Sequence, residues 1–320
     1  MPVYAFIFPG QGSQAVGMGR DLAAAFAAAR EVFQEVDETL KQKLSKLMFE
    51  GPHEELTLTE NTQPALMAHS MAVLRVLERE GGTTLQRKAL VVAGHSLGEY
   101  SALAASGAFT VQAAARLLKL RGQAMQKAVP AGIGAMAALL GAAMDQAQKI
   151  CAQAGPVPET KILEVVQPAN DNGGGQVVIS GHRSAVERAI EIAKATGIKR
   201  AMLLPVSAPF HCALMAPAAD AMAEALEATP PGAPLVPLVA NVSAKRESDP
   251  QRIRDLLIQQ VTATVRWREC VSAMTDMGVD RFIELGAGKV LTGLIKRIEP
   301  DAAGFAVGTP AEIEAVLKSL

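Results

Sequence analysis

Short apolar runs alternate along the chain with longer stretches in which apolar residues recur every three or four positions. The short runs predict buried strands at 3–8, 90–93, 235–241 and 281–285. The longer stretches predict helices at 21–36, 65–79, 97–109, 111–128, 253–260 and 267–277. Strands that alternate with helices usually form a parallel sheet with helices on its faces. The pattern therefore predicts an α/β fold with a mainly parallel sheet.

A segment in the middle of the chain follows a different order. Its strands are predicted at 134–140, 161–166, 176–180 and 199–206, and its helices at 144–154 and 185–196. This β-α-β-β-α-β order is the split unit of a ferredoxin-like domain. We therefore predict that 1–131 and 207–320 form the core and that 132–206 form an inserted subdomain.

Two local features of the insert are predicted from its polar residues. Ser184 and Glu187 have the spacing of a capping box at the start of its second helix. Residues 170–176 read as a loop between the middle strands, and its three consecutive glycines favour flexibility or close approach to a ligand.

The sequence Gly94-His95-Ser96-Leu97-Gly98 follows a predicted strand and opens a predicted helix. A serine on such a strand–turn–helix unit, with glycines two positions away on both sides, is the nucleophile elbow of α/β-hydrolase-like folds. We therefore expect Ser96 to act as a nucleophile in acyl chemistry and the core to be α/β-hydrolase-like. The alternative is an ordinary serine in a turn bounded by glycines.

Composition and charge narrow the classes of partner. Hydrophobic residues make up 49% of the chain but aromatic residues only 4%, so the core must consist mainly of Ala, Leu, Val, Ile and Met. A formal net charge of −1 gives no electrostatic reason to expect nucleic acid or an anionic membrane as partner. No apolar stretch is long enough to span a membrane, and the first residues lack the cationic start of a signal peptide.

The number and spacing of the cysteines indicate the cellular compartment. Cys151, Cys212 and Cys270 are widely separated and lack C-x-x-C spacing, which suggests neither a disulfide framework nor a zinc site. We expect a protein of the reducing cytoplasm.

A serine nucleophile needs a base that accepts its proton. Of the five histidines, only His211 lies in a loop after the elbow, at the point where the insert returns to the core. His69 lies in an apolar helix pattern and reads as structural, and the side chain of His95 should diverge from its neighbour Ser96. No carboxylate stands out as the third member of a triad, so a main-chain carbonyl is the alternative partner for the imidazole.

An oxyanion needs two hydrogen-bond donors, and the amide after the serine, that of Leu97, normally supplies one. The loop at 10–12 follows the first strand and can supply the other. This loop also matches a dinucleotide fingerprint, but no second strand ending in an acidic residue follows it, so nucleotide binding is disfavoured.

Seven motifs together resemble one known family. They are 8–14 (FPGQGSQ), 62–65 (TQPA), 94–100 (GHSLGEY), 121–125 (RGQAM), 207–211 (SAPFH), 265–267 (VRW) and 284–291 (ELGAGKVL). The chain resembles the malonyl-coenzyme A:acyl carrier protein transacylases, the stand-alone acyltransferases of fatty acid synthesis. The resemblance departs from the family pattern at Gly173-Gly174-Gly175, where Ser-Pro-Gly is usual, and at Ala287, where proline is usual.

The resemblance implies a role for particular residues. It implies Ser96 as nucleophile, His211 as base and Arg121 as the partner of the malonyl carboxylate. Taken alone, Arg121 would read as a solvated arginine of a helix. The remaining residues that the resemblance implies are Gln11 and Leu97, whose main-chain amides form the oxyanion hole, Gln260, whose carbonyl orients His211, and Gln63, Met125, Phe210 and Asn172, which bind substrate.

The activity implied by the resemblance is ping-pong transfer of a malonyl group from malonyl-CoA, through Ser96, to the phosphopantetheine thiol of acyl carrier protein. It implies no metal or other cofactor, and we expect a monomer. One alternative is a serine esterase or thioesterase that uses the same serine and base. Arg121 and the missing acid argue against it. The other is a non-catalytic module that docks carrier protein.

Overall fold

Two β-sheets of different character organise the chain. The computed structural model describes residues 2–130, 132–158 and 160–318. Six described strands form one sheet in the order β10-β9-β1-β2-β7-β8, and four form a second sheet in the order β4-β5-β3-β6. The strands are β1 Tyr4–Phe8, β2 Ala89–Gly94, β3 Gly134–Leu140, β4 Val166–Asp171, β5 Gln176–His182, β6 Arg200–Leu203, β7 Leu238–Val239, β8 Arg246–Glu247, β9 Arg281–Leu285 and β10 Ala303–Val307.

Helices connect and cover these strands. The helices of the first part of the chain are α1 Arg20–Ala25, α2 Ala27–Leu40, α3 Leu44–Glu50, α4 His53–Thr57, α5 Thr59–Gly81, α6 Leu85–Lys88, α7 Gly98–Ala105 and α8 Val111–Ala128. Those of the second part are α9 Met144–Ala154, α10 Arg183–Ala195, α11 Ala216–Ala228, α12 Pro250–Gln260, α13 Trp267–Asp276, α14 Val290–Ile298 and α15 Pro310–Leu317, with a 3-10 turn at Ala213–Met215.

The six-stranded sheet is parallel from β10 to β7, and β8 pairs with β7 antiparallel. Side chains of β1 alternate between its two faces: Phe6 and Phe8 belong to the core on the side of α5 and α8, whereas Ala5 and Ile7 pack with α13 and α14. Both faces are therefore covered, as in other parallel sheets. The predicted mainly parallel sheet flanked by helices is confirmed.

The position of the site follows from the pairing of β1 with β2. Phe8 lies opposite Gly94, so the carboxyl ends of the two central strands lie at the same edge of the sheet. The loop after β1 and the turn after β2 therefore emerge side by side, which is where open parallel sheets bind ligands.

The second sheet is antiparallel and has its own apolar core, to which α9 and α10 contribute. Its elements follow the predicted β-α-β-β-α-β order. The strand predicted at 161–166 is wrong, because β4 begins only at Val166 and continues through polar residues to Asp171. The domain boundaries stay a prediction, and residue 131 lies outside the described residues.

The capping box predicted from Ser184 and Glu187 is also wrong. Helix α10 begins at Arg183, after His182, and no side chain caps it. The hydroxyl of Ser184 instead donates to the carboxylate of Glu164, 2.8 Å away. Ser184 therefore lies inside the first turn, where it holds the segment before β4.

In the core, the helix predicted at 65–79 begins earlier than predicted, because residues 59–64 also lie inside α5. Their polar side chains are satisfied by upstream carbonyls: Asn61 donates to Glu55 at 2.9 Å and Thr62 to Leu56 at 2.6 Å. These bonds stabilise a polar first turn, which the pattern of apolar residues does not predict. In the described part of the chain no helix combines the length and apolarity needed to cross a membrane.

Candidate active site

Ser96 lies on the sharp turn between β2 and α7. Its φ of 54° is in the left-handed region, which non-glycine residues rarely adopt. Its amide donates to Oδ1 of Asn241 at 2.8 Å, which holds the turn in this conformation. A Cβ on Gly94 would lie 1.9 Å from the carbonyl carbon of Gly98, and a Cβ on Gly98 would lie 2.3 Å from the carbonyl oxygen of Phe8. The predicted elbow is therefore present, and its glycines are required by close backbone contact.

His211 faces the serine from the loop that follows the insert. Its Nε2 lies 2.7 Å from Oγ of Ser96, and its Nδ1 lies 2.8 Å from the main-chain oxygen of Gln260. A carbonyl oxygen can only accept, so Nδ1 carries the proton and donates it to this bond. The free lone pair of Nε2 then points at the serine hydroxyl.

The electrostatics keep this imidazole neutral. Burial, followed by the nearby positive charge of Arg121, lowers the pKa of His211 from its ordinary 6.5 to about 3. A neutral imidazole at pH 7 is able to take the proton of Ser96.

Arg121 comes from α8 and is only 1% exposed, so it is not a solvated arginine. Its Nη1 donates to Oε1 of Gln63 at 2.9 Å, and its Nη2 donates to Oε1 of Gln260 at 2.8 Å and to Oγ of Ser96 at 3.2 Å. The guanidinium carbon also lies 5.8 Å from the centre of the Tyr100 ring. The cation is therefore held beside the serine by neutral acceptors and an aromatic face.

Gln63 contacts both Arg121 and Met125. The amide nitrogen of Gln63 donates to Oγ1 of Thr59 at 3.0 Å and to the sulfur of Met125 at 3.7 Å. Thr59 in turn donates to Oε1 of Gln11 at 3.0 Å. A chain of hydrogen bonds thus connects the loop after β1 with the guanidinium. Substrate contact by Gln63 and Met125 stays a prediction.

The loop after β1 packs against the elbow. The amide of His95 donates to the carbonyl of Phe8 at 3.0 Å, and the absent side chain of Gly10 leaves room for the carbonyl of His95. Among the hydrogen bonds of the described residues, none uses the main-chain amides of Gln11 or Leu97. That these two amides bind an oxyanion stays a prediction.

Asn172 and Phe210 are each buried beside a residue of the site, and their contact with substrate stays a prediction. Oδ1 of Asn172 is 2.9 Å from Nε2 of His95, so Asn172 contacts the residue before the serine. Phe210 precedes His211 and is 8% exposed. The glycine loop after Asn172 is in close contact with α14, because a Cβ on Gly173 would lie 2.5 Å from the side chain of Ile298.

Two buried polar residues of the site, Glu99 and Asn241, were not predicted. Oε1 of Glu99 accepts the amide of Asn241 at 2.9 Å, and Oε2 accepts the side-chain amide of Gln260. Asn241 also donates to the carbonyl of Gly94 at 2.8 Å. Burial raises the pKa of Glu99 to about 8. The sequence signal was a single carboxylate in a helix of otherwise small, apolar or aromatic residues.

Glu99 does not complete a triad, since the partner of His211 is the carbonyl of Gln260.

A cavity of about 640 Å³ opens at His211, between Thr262–Thr264 of the core and residues between 148 and 168 of the insert. The described residues contain no group of His, Cys, Asp or Glu side chains that could hold a metal ion.

Comparison with known proteins identifies the class of protein that carries this fold and this serine site. Residues 5–306 match the model of the acyl transferase domain, and the chain belongs to this family. It is 46% identical over 318 residues to the malonyl CoA-acyl carrier protein transacylase of Escherichia coli K12, covering 99% of this chain and 100% of that protein. With the corresponding protein of Bacillus subtilis 168 it shares 45% identity over 320 residues, which are 100% and 98% of the two chains.

Solved structures of similar proteins have the same fold. An acyl-carrier-protein-S-malonyltransferase from Bartonella henselae superposes with a TM-score of 0.94 at 56% identity, over 99% of both chains. A malonyl-transacylase solved in complex with its type II PKS acyl-carrier protein superposes with a TM-score of 0.94 at 44% identity, over 99% of this chain and 100% of that one. The resemblance to the transacylases is confirmed.

Proposed function

We propose that this protein transfers a malonyl group from malonyl-CoA to the phosphopantetheine thiol of an acyl carrier protein. The observation that carries the proposal is the buried guanidinium of Arg121, 3.2 Å from a serine hydroxyl that is itself 2.7 Å from His211. Such a site combines an activated nucleophile with a binding group for a carboxylate. The names of the similar proteins, and the complex of one of them with a carrier protein, support the same substrates.

In the first half-reaction, Nε2 of His211 takes the proton of Ser96 as Oγ attacks the thioester carbon of malonyl-CoA. The oxyanion of the tetrahedral intermediate accepts from the amides of Gln11 and Leu97, each worth about 3 kcal/mol in the transition state. The C–S bond then breaks, and His211 returns the proton to the leaving thiolate of coenzyme A. The product is a malonyl ester of Ser96.

In the second half-reaction, the carrier-protein thiol gives its proton to His211 and attacks the malonyl ester. Ser96 leaves with the proton from His211, so the free enzyme is restored. The proton transfers balance with the substrates and these residues, and we propose no resident cofactor. We propose that both thioesters approach the serine through the cavity that opens at His211.

Selectivity is assigned to Arg121, whose planar guanidinium can form two parallel charge-assisted bonds with the free carboxylate of the malonyl group. An acetyl group offers no such partner. We further propose that Phe210 crowds a methyl branch on the acyl group and that Gln63, Met125 and Asn172 shape the acyl pocket. The cytoplasmic location and the monomeric state stay predictions.

The test is mass spectrometry of the protein after it is mixed with malonyl-CoA. We expect a malonyl adduct on the peptide that contains Ser96, and no adduct for Ser96→Ala. Ser101→Ala is the matched control, because Ser101 is a buried serine of the same helix and should leave the adduct unchanged.

The alternatives give different results in the same experiment. A docking module would show no adduct in the wild-type protein. A thioesterase would form the adduct but would hydrolyse it as fast without carrier protein as with it.

A further inference from the structure

Glu99 is the buried carboxylate nearest in sequence to the serine, and its contacts are specific. It lies in the first turn of α7 and is 1% exposed. One oxygen accepts the main-chain amide of Asn241, and the other accepts the side-chain amide of Gln260. The first bond alone would attach α7 to the segment after β7. The second bond connects α7 to Gln260, the last residue of α12, which contacts the groups of the site.

Gln260 connects Glu99 to two groups of the site. Its main-chain oxygen accepts from Nδ1 of His211 at 2.8 Å, and its side-chain oxygen accepts from Nη2 of Arg121 at 2.8 Å. Its side-chain nitrogen donates to Glu99 and to the main-chain oxygen of Ser96 at 3.0 Å. The orientation of this side-chain amide therefore bears on the cation and on the elbow, whereas the base is held by the main chain of the same residue.

An amide can present either its oxygen or its NH2 group in a given direction, and its neighbours decide which. Burial raises the pKa of Glu99 to about 8, so above that pH the group is an ionised carboxylate that only accepts. Together with the main-chain oxygen of Ser96, it then selects the NH2 end of Gln260 and leaves the oxygen facing Arg121. With the opposite orientation, an NH2 group would face a guanidinium, donor against donor, and the cation would lose an acceptor.

We propose that Glu99 is a positioning residue for malonyl transfer: it orients the side-chain amide of Gln260, and this amide holds the guanidinium of Arg121 in line with the acyl group. The inference rests on the proposed function. Glu99 touches neither substrate nor the reacting atoms, so it acts through Gln260.

The test uses Glu99→Gln, which keeps the size of the side chain but offers one acceptor and one donor in place of two acceptors. It cannot satisfy both Asn241 and Gln260. The measured quantity is the ratio of kcat/KM for loading of malonyl-CoA to that for acetyl-CoA, at a pH above 8, where the carboxylate of Glu99 is ionised in the wild-type protein. We expect this ratio to fall about tenfold or more, because a charge-assisted hydrogen bond that positions the cation is lost.

Glu284→Gln is the matched control. Glu284 is also fully buried, and its carboxylate accepts the main-chain amides of Leu291 and Thr292 at the start of α14. A loss of fold stability would lower both loading reactions alike in both variants. We expect Glu284→Gln to leave the malonyl-to-acetyl ratio unchanged.

A double-mutant cycle with Gln260→Ala tests the route of the effect. If Glu99 acts through Gln260, Glu99→Gln should change the ratio little in the Gln260→Ala background. An unchanged ratio in Glu99→Gln, or a fall that adds fully to that of Gln260→Ala, overturns the proposal. If Glu99→Gln does not fold, Glu99→Asp replaces it, and the same outcomes apply because the shorter carboxylate cannot reach both partners.

The proposed function is judged separately, on the wild-type protein. Absence of a malonyl adduct in wild type refutes the function. A wild-type adduct together with an unchanged ratio in the Glu99 variant refutes only the role of Glu99.

Discussion

Replacing Arg121 with alanine should separate malonyl from acetyl transfer. The substitution removes a side chain that is 1% exposed and leaves the malonyl carboxylate in a buried pocket without its partner. Truncating one partner of a buried, hydrogen-bonded charge pair costs about 2–5 kcal/mol. At about 1.4 kcal/mol per tenfold, kcat/KM for malonyl loading should fall between about 30-fold and 4,000-fold.

Acetyl loading should fall far less. In that reaction the contact that the substitution removes from a reacting atom is the 3.2 Å bond from Nη2 to Oγ of Ser96. One hydrogen bond of this kind is worth about 1 kcal/mol, or roughly fivefold in rate. The malonyl-to-acetyl ratio should therefore drop by between about 6-fold and 800-fold.

The assay is rapid-mixing measurement of acyl-enzyme formation with each thioester. Arg116→Ala is the control, because Arg116 is an exposed arginine of the same helix α8 and should leave both rates unchanged. Stability is measured in parallel, since the amide oxygens of Gln63 and Gln260 lose their donor. Equal losses for malonyl and acetyl groups would refute the role assigned to Arg121.

Two further predictions concern stability. Gly98→Ala should lower the free energy of unfolding by about 1–3 kcal/mol or more in thermal unfolding, because the added Cβ would lie 2.3 Å from the Phe8 carbonyl oxygen. Gly293→Ala is the control, since nothing lies within 4 Å of the Cβ added there. An equal loss of stability in the two variants would contradict the prediction. Burial lowers the pKa of His69 from 6.5 to about 4, so below pH 6.5 the unfolded chain binds a proton that the folded chain does not. Relative to His69→Gln, wild type should therefore lose about 2 kcal/mol between pH 7 and pH 4.5 in urea denaturation, and a constant difference would contradict this.

The periodicity of apolar residues predicted those helices and strands whose conformation follows from their own sequence. Helices α8 and α9 and strands β3 and β9 have the predicted bounds. Strand β4 does not, because its last residues, Asn170 and Asp171, are polar but buried. The carboxylate of Asp171 is paired with Arg268 at 2.9 Å, and its amide donates to the carbonyl of Val265. A polar strand stabilised by such distant partners gives no local signal.

Some residues of the candidate site have a local sequence signal, whereas others depend on contacts between residues that are distant in the chain. Ser96 is marked by its local turn, and His211 by its place after the insert. The roles of Arg121 and Gln260 came from the resemblance to the transacylases, because the residues alone did not tell a buried arginine from an exposed one. Glu99 was missed, since Asn241 and Gln260 lie more than 140 positions away along the chain and only the fold brings them to its carboxylate.

The neutral acceptors around Arg121 have a consequence for turnover. In the free enzyme the guanidinium already donates to the amide oxygens of Gln63 and Gln260. A malonyl carboxylate therefore joins or replaces hydrogen-bond acceptors that the Arg121 guanidinium already has. When the malonyl group departs on the carrier thiol, both amides are in place to receive the guanidinium again. Release of the acyl group is thus an exchange of ligands around a resident cation, which favours passage of the group in either direction between two thioesters of similar energy.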